Sequence, residues 1–157
     1  MEAAEGSGSG QANGPAGELV LGPDGLGGLE LGMTHEKALK TGLLTGEGEV
    51  GAGPGCNTDY KPKAAGTADA PVFFSDLGLV SITAYPGAAT PEGIELGSTV
   101  AALKKAYPDW EVVTGPGAEG RGWAKVPGNS AAVFNVTVED GRVEHMNLQL
   151  RTQNCYE

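Results

Sequence analysis

Apolar residues alternate with polar or small ones over two stretches of the chain, a period-two pattern that marks half-buried strands. In the later stretch Phe134, Val136 and Val138 fall at alternate positions. Glu139-Asp140-Gly141 then turns the chain, Asp-Gly being a favoured hairpin pair. Beyond it Val143, His145, Asn147 and Gln149 alternate with Glu144, Met146, Leu148 and Leu150. Earlier, Val72-Phe73-Phe74-Ser75, a turn at Asp76-Leu77-Gly78, and residues 79–85 predict a second hairpin.

Helical spacing occurs in two short places. Val100, Leu103 and Tyr107 lie at i, i+3 and i+7 on one face, and Pro108 ends the helix. In the first half Ala38 takes the place of Leu103, and Gly42 supplies the stop. Thr34 and Thr99 stand where an N-cap hydroxyl accepts first-turn amides. Helices this short need a sheet to lie on.

The two halves share a motif. Gly28-Leu29-Glu30-Leu31-Gly32-Met33-Thr34 matches Gly93-Ile94-Glu95-Leu96-Gly97-Ser98-Thr99 at a spacing of 65, with five of seven residues identical. Each motif precedes a helix and then a hairpin. The expected fold is therefore α+β, two tandem helix-plus-antiparallel-hairpin units packed as one domain. The first unit spans 19–89 and the second 90–157. Residues 1–18 are rich in Gly, Ser and Ala with nothing bulky to bury, and read as a flexible tether. Residues 45–70 and 114–130 hold clustered Gly and Pro and read as long loops, which are commonly functional or mobile.

Composition narrows the function. The chain has 27 Gly and 10 Pro among 157 residues, without periodicity, and a net charge of −10. Such a charge repels phosphate backbones and anionic lipid surfaces, and no basic stripe offsets it, so no nucleic acid is expected. No apolar run approaches the ~20 residues of a membrane span. Two cysteines, Cys56 and Cys155, permit one intramolecular bridge, which would place the protein in an oxidising compartment. The alternative is a pair of buried free thiols. Neither cysteine stands in a CxxC or Cys/His cluster, so zinc lacks its ligand spacing.

Candidate chemistry is sparse. Gly46-Glu47-Gly48-Glu49-Val50-Gly51 has the spelling of a dinucleotide loop, but two glutamates would repel a phosphate and Pro54 follows instead of a helix. His35 and His145 have no acidic or histidine neighbours at ligand spacing. No catalytic residue, metal or cofactor is assigned. The binding candidates are aromatics in the glycine-rich stretches, Tyr60 and Trp123, with Arg121 beside the latter, since Trp, Tyr and Arg dominate interface hot spots. The alternative is that Tyr60 and Trp123 fold back to cap the sheet.

At the repeated Gly-Leu-Glu-Leu-Gly-Met-Thr segment the chain resembles the β-lactamase inhibitory protein family and the small lipoproteins of the outer-membrane β-barrel assembly machine. The resemblance covers roughly residues 25–45 and 90–108 by motif. It implies a helix-and-sheet fold and an extracellular or envelope setting, as in related actinobacterial secreted or lipid-anchored proteins. Two features depart from it. The inhibitory proteins carry a local disulfide in each unit, whereas here Cys56 lies in one unit and Cys155 in the other. Their aromatic-rich inhibitory face has no match among the nine aromatics of this chain. Inhibition of β-lactamase and its binding residues are therefore not carried over.

The function expected is a non-catalytic, extracytoplasmic protein-interaction module, monomeric, with a protein partner in the envelope or medium. Met1-Glu2-Ala3-Ala4-Glu5 reads as a start joined to a mature chain, and a lipid anchor upstream is compatible with it. Two alternatives stand beside this reading: an inhibitor of a secreted enzyme, and a hydrolase whose carboxylates converge in space.

Overall fold

The computed structural model describes residues 20–46, 56–112, 120–153 and 155. The expected tether, 1–18, lies outside them, as do residues 47–51 of the glycine motif. A small hairpin comes first, β1 (Gly25–Leu26) and β2 (Leu29–Glu30), followed by α1 (His35–Lys40). Four strands follow: β3 (Leu44–Gly46), β4 (Asn57–Pro62), β5 (Val72–Ser75) and β6 (Gly78–Thr83). Then come α2 (Val100–Ala106), β7 (Glu111–Val112), β8 (Arg121–Val126), β9 (Asn129–Glu139) and β10 (Arg142–Leu150).

The helix-plus-hairpin α+β expectation is corrected here. Strands hold 46% of the described residues and helices 13%, and eight antiparallel strands form one large sheet. Its order is β3-β4-β5-β6-β10-β9-β8-β7. Residues 44–83 build one half as a meander and residues 111–150 build the other, in reversed order, with β6 and β10 meeting at the middle. The difference arises in the stretches read as loops, where β3, β4 and β8 lie. Their inward positions hold small or atypical residues, so alternation of bulk was hard to see. On β8 these are Gly122, Ala124 and Val126.

One row of inward residues crosses most of the sheet. Tyr60, Val72, Ile82, Leu148, Phe134 and Ala124 stand opposite one another in register from β4 to β8. All six are buried in a single core. Residues opposite in register project to the same side of a sheet, so this row defines the core face. Burying each large member contributes roughly 1.5–3 kcal/mol.

Both helices lie against this side, α1 packing on β6 and α2 on β10. Ala38 and Leu103 are the fully buried helix residues, as their shared place in the repeat predicts. The repeated motif also makes the same backbone contacts twice. Gly32 N–H donates to Leu79 O at 2.7 Å, and Leu79 N–H to Met33 O at 2.8 Å. In the second half Gly97 N–H donates to Val143 O at 2.8 Å, and Val143 N–H to Ser98 O at 2.8 Å. Thr34 Oγ1 accepts from Lys37 N–H and Thr99 Oγ1 from Ala102 N–H, each at 3.1 Å. A seven-residue sequence match thus encodes one device, a loop bonded to the sheet that releases a capped helix.

The Asp140-Gly141 turn between β9 and β10 forms as the sequence predicts, with φ of +53° and +77°. Positive φ at both central residues is what a tight hairpin of this hand requires.

Candidate functional site

The side of the sheet away from the core carries a second set of rows. Thr83, Asn147, Asn135, Trp123 and Glu111 stand opposite one another from β6 to β7. Exposure rises along this row, from half-buried Thr83, Asn147 and Asn135 to exposed Trp123 and Glu111. A neighbouring row runs Phe73, Ser81, Gln149, Val133 and Lys125. There Ser81, Gln149 and Val133 are buried and Lys125 is exposed.

Amide and hydroxyl groups tie the middle of this side together. Asn147 Nδ2 donates to Ser81 Oγ at 2.9 Å and to Thr83 Oγ1 at 3.0 Å, bridging β10 to β6. Asn135 Nδ2 donates to Gln149 Oε1 at 3.3 Å, bridging β9 to β10. Polar groups that satisfy one another in this way hold a partly solvated face rigid.

Toward β7 the face opens into a shallow groove of about 470 Å³, lined by Asp109, Glu111, Trp123, Lys125, Val133 and Arg151. Trp123 is 43% exposed, among the largest apolar surfaces left uncovered. Arg121, Trp123 and Lys125 take alternate positions on β8, so they share this side at steps of about 6.7 Å. Between them Gly122 lets the neighbouring strand approach. A Cβ at 122 would stand 2.3 Å from Glu111 O and 2.9 Å from Trp110 Nε1. The groove therefore depends on the absence of a side chain at 122.

Asp109 is held in place, its Oδ2 accepting from Lys125 N–H at 2.7 Å. Arg151 is anchored through Nε, which donates to Ser130 O at 2.8 Å. Arg121 is half-buried, and its Nε has no hydrogen-bond partner among the described residues.

The three residues singled out from the sequence separate in space. Trp123 and Arg121 lie together on the outer side of β8, on a strand instead of the expected loop. Tyr60 lies apart from them, 7% exposed and facing the core from β4. Its ring stands 5.3 Å from His35 and 6.3 Å from Phe74, centroid to centroid, so the capping alternative describes it. Sequence reasoning missed Lys125, Val133, Arg151, Asp109 and Glu111. The signal that could have found Lys125 is the period-two spelling Arg-Gly-Trp-Ala-Lys-Val, which small inward residues disguise.

Cys56 and Cys155 form a disulfide, with Cα atoms 5.7 Å apart. The bond ties the chain beyond β10 to the residue just before β4. Among the described residues no helix is long and apolar enough to cross a membrane, and no group of three or more His, Cys, Asp or Glu could hold a metal ion.

An apolar cavity under the β1–β2 hairpin, lined by Leu26, Leu29, Leu43, Pro62 and Tyr85, has a volume of about 80 Å³. Small-molecule sites run ~300–1,000 Å³, so it is too small to seat an ordinary metabolite. Tyr107 donates its hydroxyl proton to Glu92 Oε1. Burial, reinforced by that carboxylate, pushes its pKa well above the ordinary phenol value.

Comparison with known proteins finds no match to any protein family, characterised protein or solved structure.

Proposed function

We propose that this protein is a non-catalytic interaction module of the extracytoplasmic space, and that it binds a protein partner on the outer side of β8 around Trp123. The observation that carries this reading is the placement of Trp123. A tryptophan 43% exposed on a regular strand, at the rim of a groove and beside an arginine, matches what anchors protein interfaces. A strand within an eight-stranded sheet holds such an anchor with little entropy left to lose on binding.

The Cys56–Cys155 disulfide supports the compartment, since such bonds persist in secreted and envelope proteins. Inhibition of a secreted enzyme is a special case of this reading, in which the groove beside Trp123 receives a loop of the enzyme. The carboxylates at the groove give hydrolysis little support, because Asp109 is already committed to the Lys125 amide.

The test is affinity capture from the envelope and culture fluid of the source organism, with the intact chain and Trp123→Ala as baits. The reading expects a specific protein retained by the intact chain and lost with Trp123→Ala. Equal retention by both baits would move the interface elsewhere.

A further inference from the structure

Resting on that reading, we infer that the partner presents an acidic segment to this face, a loop or extended peptide bearing Asp or Glu beside an apolar side chain. The charges gathered around Trp123 run against the net charge of the chain.

The protein carries a net charge of −10, so a basic partner would be favoured at long range. The strip around Trp123 is built differently. Arg121 and Lys125 flank Trp123 at alternate positions of β8, and Arg151 lines the same groove from beyond β10. Lys125 and Arg151 also line the adjoining groove toward Gly128 and Asn129, so the two cations stand together over both. Two acids, Asp109 and Glu111, line the first groove as well. Asp109 spends one oxygen on the Lys125 amide, and the adjoining groove that Lys125 and Arg151 share has no acid in its lining among the described residues.

The cations have donors to spare. Arg151 spends Nε on the Ser130 carbonyl, and a guanidinium offers five N–H donors in a planar fork that fits a carboxylate. Arg121 shares the outer side of β8 with Trp123, and its Nε is buried without a hydrogen-bond partner among the described residues. Trp123 and Val112, both exposed, supply the apolar surface beside the charges. A basic ligand here would bring like charges against Arg121, Lys125 and Arg151, which costs specificity and rate. Two cations separated by two steps of about 6.7 Å, with tryptophan between them, match an extended acceptor with carboxylates four residues apart and an apolar side chain midway.

The test uses the full chain and a panel of synthetic peptides of one length. One set carries Glu at alternate positions around a central Leu. A second replaces Glu by Gln, and a third by Lys. Binding is read by amide chemical shifts of the isotope-labelled protein. The inference expects the Glu peptides to bind at least tenfold more tightly than the Gln peptides, with shifts centred on 121–125, 133 and 151. It expects the preference to vanish in Lys125→Glu/Arg151→Glu and to weaken as salt rises.

Equal binding of Glu and Gln peptides, tighter binding of Lys peptides, no binding of any set, or shifts confined to the helix side would each overturn it. The two readings fail separately. If Trp123→Ala abolishes capture of a natural partner but Lys125→Glu/Arg151→Glu does not weaken it, the module stands and the acidic partner falls. If Trp123→Ala has no effect on capture, the binding face itself is wrong.

Discussion

Cys56 and Cys155 are joined across 99 residues of sequence, which ties the last described residue to the one that immediately precedes β4. The bond closes nearly two-thirds of the chain into one loop. In the chain-entropy account, a loop near 100 residues removes about 4.7 kcal/mol from the unfolded state, with lower values common in practice. The double variant Cys56→Ser/Cys155→Ser should therefore unfold at lower urea concentration by an equivalent of about 2–5 kcal/mol. Neither cysteine should take up an alkylating reagent before reduction. Ready labelling of both, or unchanged stability after their replacement, would contradict the bond's role.

Tyr107 and Glu92 give a pH signature. Its pKa is raised in the folded state, first by burial and then by its bond to Glu92. A raised pKa means that the folded protein holds the proton more firmly than the unfolded chain. Its stabilising contribution is complete below the free phenol value of 10.0 and is lost as pH climbs through the higher folded value. Stability should fall above about pH 10, more steeply in the intact protein than in Tyr107→Phe. At neutral pH the same variant loses a hydrogen bond to a charged acceptor, about 1.5–3 kcal/mol. Denaturation curves at neutral and alkaline pH, with phenolate absorbance followed in parallel, check both statements.

The repeated caps should act alike and independently. Thr34→Ala and Thr99→Ala each remove one hydroxyl that accepts a first-turn amide at 3.1 Å. Each should cost about 1 kcal/mol, and the double variant about the sum, because the caps serve different helices. Melting curves of the three variants decide it. A large effect from one cap alone would show that the two copies of the motif have lost their common role.

Gly122→Ala should be costly although its backbone is ordinary. The new methyl would meet Glu111 O at 2.3 Å, so β7 must shift away from β8. Overpacking of this kind costs about 1–3 kcal/mol. The loss should appear in the melting temperature and as faster amide exchange at 111 and 112. Gly141→Asn is the contrast, since nothing stands within 4 Å of a Cβ there and Asn tolerates positive φ.

Much of the local structure was legible. The β9–β10 hairpin was spelled by alternating Phe134, Val136, Met146 and Leu148 around Asp140-Gly141. Both helices were marked by Thr caps and by Ala38 and Leu103. The cysteine pair followed from there being two. Half of the sheet was not legible, for reasons of packing. On β8 the inward residues are Gly122 and Ala124, small because Trp110 and the neighbouring strand approach closely. On β4 the inward pair is Tyr60 and Pro62, amid polar residues that read as a loop. Binary pattern depends on bulk at inward positions, and these strands have little. The proposed face is half legible for the same reason: Arg121 and Trp123 stand out by residue type, whereas Lys125 and Val133 join them only through sheet register and Arg151 only through the groove.

Trp123 is the point on which the account turns, and oxidative footprinting of the purified complex tests it most directly. Trp110 is 8% exposed and serves as the internal reference within the same molecule. In the isolated chain Trp123 should be oxidised readily and Trp110 slowly. With the captured partner bound, Trp123 should become protected to the level of Trp110, while the melting temperature of isolated Trp123→Ala stays within a few degrees of the intact chain. Oxidation of Trp123 at the same rate with and without partner would contradict the account, because the exposed face of β8 would then take no part in binding.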